Sequence, residues 1–202
     1  MSHRHTPANT IVVLDFETTG LSPNMGDRAI EIGAVKLVDG QVVDQFSELM
    51  DPGFRVSGFI ESYTGISNAM LATAPNCAEV MHRFADFIQG CNMLAHNASF
   101  DKKFLDAELD AIGRSYSGEF VCSLLIGRRI YPHAPNHKLG TLVEYKNVQH
   151  DGVFHRALAD AQMTAKLWLA MVADCGGNVS FAQMYTISKT PKAKVPALLA
   201  TL

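Results

Sequence analysis

The sequence predicts an α/β layered fold, and three observations carry that expectation. The first fifty residues hold β-branched runs around a hairpin signal, the middle of the chain changes to helical spacing, and short apolar strand candidates then alternate with amphipathic helices. A chain of 202 residues is long enough for one compact domain with a sizeable core.

Residues 10–14, Thr-Ile-Val-Val-Leu, form a β-branched run ending at Asp15 and read as a strand covered on both faces. Residues 29–38 and 42–49 are also β-rich, and Asp39-Gly40 between them is a hairpin turn signal, so three antiparallel strands are expected to open the chain. Residues 75–88 then place Val80, Phe84, Phe87 and Ile88 on one helical stripe that Gly90 stops. A short strand is expected at 93–95 and a helix at 99–112, where Phe100, Phe104, Leu105 and Leu109 fall at helical spacing before Gly113. Residues 120–130 suggest a strand-to-helix step, 138–145 a short helix and 157–173 a long one, whose Trp168 belongs to a core stripe with Leu158, Ala161, Ala165 and Val172. The expected organisation is a flexible N-terminus at 1–9, a folded domain at 10–174 and a peripheral C-terminal extension at 175–202. That extension carries Lys189, Lys192 and Lys194, no acids, and one short helix around 180–187.

Composition excludes several classes. With 48% hydrophobic residues, 18% charged residues and a net charge of -3, the chain is neither disordered, collagen-like nor coiled-coil. Its longest apolar stretch, residues 167–173, is far short of the ~18 residues that a membrane span needs. The first ten residues contain no apolar signal region, so a cytoplasmic protein is expected. Four scattered cysteines fit packed, reduced thiols better than a zinc cluster or a disulfide framework. The mild acidity argues against a grip on long duplex nucleic acid by charge alone, so any such contact is expected to be short or metal-assisted.

The chemistry concentrates in three places. Asp15 and Glu17 sit two apart at the end of the first strand, so the period-2 alternation sends both carboxylates to one side. This is either a solvated strand end or a pair that needs a hard cation such as Mg²⁺ or Mn²⁺. The following Thr18-Thr19-Gly20 adds hydroxyls and a glycine where backbone N–H groups could approach a phosphate or sugar. Asp101 follows His96-Asn97-Ala98-Ser99 at a helix start, a place that favours an acid through the macrodipole as well as through any ligand. Finally, His155 precedes Asp160 by five positions, which puts an acid on a helix and a His on its approach, suited to a metal ligand and a general base. Four carboxylates and one His so arranged make a two-metal phosphoryl-transfer site chemically sensible.

At these residues the chain resembles the DEDDh, or DnaQ-like, 3′-to-5′ exonucleases, a family that includes the proofreading epsilon subunit of bacterial DNA polymerase III and ribonuclease T. The motifs that carry the resemblance are Asp15-Phe-Glu-Thr-Thr-Gly-Leu21, His96-Asn-Ala-Ser-Phe-Asp101 and His155-Arg-Ala-Leu-Ala-Asp160, in that order, and it spans residues 10–172. Secondary matches are Ile30-Glu-Ile-Gly-Ala-Val35, Tyr63-Thr-Gly-Ile-Ser67 and His137-Lys-Leu-Gly-Thr-Leu142. The resemblance implies an RNase H-like fold, with a central mixed sheet whose first three strands are antiparallel and helices on both faces. It implies that Asp15, Glu17 and Asp160 hold one Mg²⁺ or Mn²⁺, that Asp15 and Asp101 fix a second, and that His155 deprotonates the attacking water. It further implies that Thr18, Thr19, Gly20 and Leu21 line the pocket for the 3′-terminal nucleotide, with Thr64, Gly65 and Phe100 near its base or sugar and Lys138 on a phosphate. Thr64 departs from the epsilon subunits, which tend to carry His there.

The activity so implied is release of 5′-mononucleotides from the 3′ end of single-stranded or frayed nucleic acid, DNA favoured, in proofreading or repair. The alternatives are an RNA-trimming enzyme of the ribonuclease T or oligoribonuclease kind and a non-catalytic polymerase-associated module. A DNA polymerase is an expected partner through the lysine-bearing tail. The chain is expected to work as a monomer or a homodimer, with no membrane contact.

Overall fold

A computed structural model describes residues 10–149 and 155–201. The expected flexible N-terminus at 1–9 lies outside the described residues. Strands β1 (Thr10–Thr18), β2 (Ala29–Val38) and β3 (Gln41–Leu49) form the antiparallel opening, joined by the Asp39-Gly40 turn, in which both residues have positive φ. Two short helices follow, α1 (Gly58–Thr64) and α2 (Asn68–Leu71), each started by a serine, Ser57 or Ser67, whose hydroxyl accepts a backbone N–H of the first turn. Helix α3 (Cys77–Phe87) leads to β4 (Asn92–Ala95), α4 (Ala98–Asp110), β5 (Phe120–Cys122) and α5 (Ser123–Ile130). The chain then forms α6 (Leu139–Tyr145), α7 (Ala157–Asp174), α8 (Phe181–Lys189) and α9 (Val195–Leu199), with short 3-10 turns at Pro23–Met25 and Lys192–Lys194.

The strands build one mixed sheet in the order β3-β2-β1-β4-β5, antiparallel on the β2 side of β1 and parallel on the β4 side. Period-2 alternation divides the β1 side chains between two cores. Val12, Leu14 and Phe16 join Phe84 of α3 and Phe104 of α4 on one face, while Ile11 and Val13 join Trp168 of α7 and Ile126 of α5 on the other. Truncating a ring as buried as Phe84 or Phe104 to alanine costs about 3–5 kcal/mol in such cores. A third cluster, in which Ile30 of β2 meets Ile60, Ile66 and Leu71, fixes α1 and α2 to the sheet.

This is the mixed sheet with helices on both faces that the resemblance implies, and it agrees with the α/β layers and antiparallel opening expected from the residues. The segment after Asp174 is packed more closely than its composition suggests. Phe181, Met184 and Ile187 of α8 are buried in the second core, where Phe181 lies 6.0 Å from the Trp168 ring. The short helix expected around 180–187 runs from Phe181 to Lys189, and Ser180 and Gln183 form a reciprocal cap at its start. Among the described residues, no helix is long and apolar enough to cross a membrane. All four cysteines are free thiols.

Candidate active site

The site begins where β1 outruns β4. The two strands pair only at Ile11–Asn92, Val12–Met93 and Val13–Leu94; β4 goes on to Ala95 beside β5 alone, and Asn97 turns the chain into α4 with left-handed φ of 69°. Beyond Val13, the β4 side of β1 is therefore open. The Phe16 N–H, unclaimed by a strand, donates to Asp101 Oδ1 at 3.2 Å. Such a crevice at the carboxyl ends of diverging strands is where α/β sheets place ligands.

Asp15 and Glu17 share the β1 face that Ile11 and Val13 present to α7. Opposite Asp15 in the register stands Gly33, and opposite Glu17 stands Glu31. A Cβ on Gly33 would lie 2.0 Å from the Leu158 nitrogen and 2.2 Å from the Ala157 carbonyl carbon, so only glycine lets the first turn of α7 lie directly on β2. Glu31, buried, accepts the Ala157 N–H at 2.9 Å and holds the Arg156 guanidinium at 2.8 Å, which caps α7 and fixes where it starts. Asp160 follows within the first turn, and its Oδ2 accepts the His155 N–H at 2.9 Å.

The result is a cluster. Ligand oxygens of Asp15, Glu17 and Asp160 all lie within 4.8 Å of one another, and Asp101 reaches the same strand end from the opposite layer. Helix α4 is held there by Glu108, which takes two 2.8 Å bonds from Arg28 and one from the Ala29 N–H. Burial, then the charges of Asp101, Asp160, Glu17 and Glu31, push the Asp15 carboxyl well above the usual range. Burial and the charges of Asp160 and Glu31 raise Glu17 to about 8. Asp101 is raised to about 7 by burial, against the opposing pull of the Phe16 N–H, and burial raises Asp160 as well. Four carboxylates that cannot all ionise unaided are a donor set for a hard divalent cation, and these residues fit Mg²⁺ or Mn²⁺.

His155 is exposed at the rim with a left-handed φ of 60°, and its ring centroid is 4.5 Å from that of Tyr63. His96 is built in elsewhere: its ring bridges Ser123 Oγ and the His137 carbonyl, both at 2.9 Å, and burial lowers its pKa to about 4. A neutral ring of this kind ties the end of β4 to the loop before α6.

The expected nucleotide-pocket residues divide into two groups. Leu21 is 75% exposed, Phe100 is partly buried against Phe104, and Lys138 stands exposed at the start of α6. The others are also engaged in the local fold. Thr18 donates to the Gly20 carbonyl at 2.6 Å, and the Thr19 hydroxyl accepts the Arg28 N–H at 3.0 Å. A Cβ on Gly20 would lie 2.4 Å from the Asp27 carboxylate, which the Ser22 N–H and the Thr19 hydroxyl hold in place. Thr64 is buried, with its hydroxyl committed to the Ile60 carbonyl and the Ile66 N–H, and Gly65 closes α1 with φ of 72°. The Thr64 hydroxyl is thus part of the turn that ends α1.

The residues that sequence reasoning left without a role are Glu31, Gly33, Arg28 and Glu108. The first two carried a signal, an acid and a glycine inside an apolar strand. Arg28 and Glu108 lie 80 positions apart, and only the fold pairs them.

With this geometry in hand, residues 12–168 match the family model of the RNase T exonucleases. The chain belongs to this exonuclease family. It is 39% identical over 163 residues to a PolC-type DNA polymerase III of Caldanaerobacter subterraneus subsp. tengcongensis, covering 80% of this chain and 11% of that protein. It is 36% identical over 166 residues to a DNA polymerase III subunit epsilon-like protein of Rhodobacter capsulatus, covering 81% of this chain and 24% of that one. The chain thus spans about a tenth to a quarter of the length of these relatives. Among solved structures, Exonuclease X in complex with 5′ overhanging duplex DNA superposes with a TM-score of 0.69 at 27% identity, over 88% of this chain and 99% of that one. The nuclease domain of 3′hExo, described as a DEDDh family member bound to rAMP, shares the fold, with a TM-score of 0.70 at 22% identity over 83% of this chain and 93% of that one.

Proposed function

We propose that this exonuclease domain removes 5′-mononucleotides from 3′ ends, with DNA as the favoured substrate, using two divalent cations and His155 as general base. The observation that carries the reading is the convergence of Asp15, Glu17 and Asp160 within 4.8 Å, with Asp101 anchored to the same strand end. Asp15, Glu17 and Asp160 would hold one cation, and Asp15 with Asp101 the other. When bound, the cations supply Lewis acidity that lowers the pKa of water and offsets charge on the leaving oxygen.

The remaining chemistry belongs to the chain. His155 takes the proton of the attacking water as its oxygen bonds to phosphorus and the bond from phosphorus to the 3′ oxygen breaks. Its exposure lets it return that proton to solvent, and its backbone bond to Asp160 keeps it beside the cluster. The Tyr63 ring restricts where the imidazole can swing. Leu21 and Phe100 offer apolar surface to the terminal nucleotide, and Lys138 a cation to a phosphate.

The polymerase III names of the relatives and the DNA held by Exonuclease X support DNA over RNA and a role in proofreading or repair. The test is digestion of matched DNA and RNA oligonucleotides, labelled at the 5′ end or at the 3′ end. A ladder from the 5′ label, immediate release of mononucleotide from the 3′ label and faster loss of DNA are expected. A ladder from the 3′ label would overturn the polarity, and faster loss of RNA would overturn the substrate.

A further inference from the structure

A second concavity, of about 810 Å³, lies between α4, the loop that precedes β5, and α8. Helix α4 turns Asp101, Phe104, Leu105 and Glu108 inward, which leaves Lys102 and Lys103 on the groove. Helix α8 buries Phe181, Met184 and Ile187 and presents Tyr185 and Lys189 from the other side, while Tyr116 lines the groove from the loop.

Cations and rings are interleaved there. The Lys102 ammonium lies 5.6 Å from the Tyr116 ring and that of Lys189 5.1 Å from the Tyr185 ring. Lys103 donates to the Leu21 carbonyl, which joins this wall to the loop that follows β1, the strand carrying Asp15 and Glu17. Among the charges that line the groove, Asp106 is occupied by Lys102 and the Tyr116 hydroxyl and Arg114 by Asp86, while Asp110 and Glu119 balance the charges of Lys103 and Lys189. Such a groove does not attract ligand by charge alone. It suits a chain of alternating planar rings and single negative charges, which is what single-stranded nucleic acid offers. Helix α8 lies beyond residue 168, where the match to the family model ends.

We propose that the groove carries the single strand upstream of the terminal nucleotide, with bases stacked on Tyr116 and Tyr185 and phosphates paired with Lys103 and Lys189. The proposal rests on the reading of the domain as a nuclease, and it gives the C-terminal segment the role of a substrate wall. Two phosphate contacts imply a salt slope of only about −1.4 in log affinity against log salt, at ~0.7 per contact on a single strand.

The test is fluorescence anisotropy of the full chain with 5′-fluorescein oligothymidylate of about twelve nucleotides, in chelator so that nothing is cleaved, with wild type, Lys189→Glu and Tyr185→Leu. Each variant is expected to raise Kd roughly fivefold or more, the low end for one lost stacking or charge contact. In Mg²⁺, KM for that oligonucleotide should rise relative to KM for a dinucleotide, which is too short to reach the groove. Lys189 is exposed, so its variant remains informative if Tyr185→Leu unfolds. Wild-type Kd in both variants, or no binding by wild type, would overturn the proposal. Unchanged oligonucleotide binding with loss of a co-purifying polymerase would show a protein contact instead. A wild type that binds through these residues but cleaves nothing would overturn the catalytic reading and leave the groove standing.

Discussion

At Gly33 one absent methyl group decides whether the two halves of the site meet. The residue stands opposite Asp15 in the sheet and beneath the first turn of α7, and a side chain there would strike the helix backbone rather than a movable side-chain end. Gly33→Ala should therefore lift α7, draw Asp160 away from Asp15 and cost about 1–3 kcal/mol, the usual penalty of overpacking. Urea unfolding would give the stability loss, and nuclease assays should show activity falling further than stability alone explains. His155 offers the contrasting case. It is exposed and stands at the rim of the cluster, so His155→Ala should fold normally while lowering the cleavage rate roughly 10²–10⁴-fold, the range for one general base. Loss of less than about tenfold would remove His155 from that role.

Among elements, the placement of α7 depends on a carboxylate in the neighbouring strand. Glu31 supplies the acceptor that Ala157 lacks at the helix start and anchors Arg156, so the strand and the helix are placed together. Replacing it by alanine leaves the buried Ala157 N–H unpaired, at a cost of about 1–3 kcal/mol, whereas Glu31→Gln keeps an acceptor and should cost less. The half-exposed Arg156 adds little to either number. Differential scanning calorimetry separates the two, since each kcal/mol moves Tm by roughly 2–4 °C in a chain of this size. This scale also shows what was legible. Long elements with a clear period, such as α3, α4 and α7, could be read from their stripes. Helices α1 and α2 could not, because seven and four residues are too few to display a period, and their signal was confined to Ser57, Ser67 and Gly65. The three motifs gave every carboxylate of the cluster, since each sits at the end or start of an element. The local roles of Thr64 and Gly20 are not legible in the sequence, because the hydroxyl and the glycine satisfy neighbours, Ile66 and Asp27, that sequence order does not mark.

For the molecule as a whole, the cluster is a source of instability that a bound cation would relieve. Glu17 has a folded-state pKa of about 8 against an ordinary 4.5, so the folded protein holds a proton that the unfolded chain releases. Its contribution to stability is fully present below pH 4.5 and is lost as pH rises towards 8, with Asp15, Asp101 and Asp160 adding in the same direction. In chelator, Tm should therefore fall across this window. Added Mg²⁺ should restore more at its upper end than at its lower end, since protons compete with the cation for the same oxygens. A restoration independent of pH would contradict that coupling.

The most direct test of the central claim is digestion of 5′-labelled single-stranded DNA by wild type and Asp15→Ala, each with Mg²⁺, with Mn²⁺ and with chelator. A ladder shortening from the 3′ end in wild type with either metal, absent in chelator and absent in Asp15→Ala, is the predicted result. An undiminished ladder in Asp15→Ala or in chelator would mean that the carboxylate cluster is not where the chemistry happens.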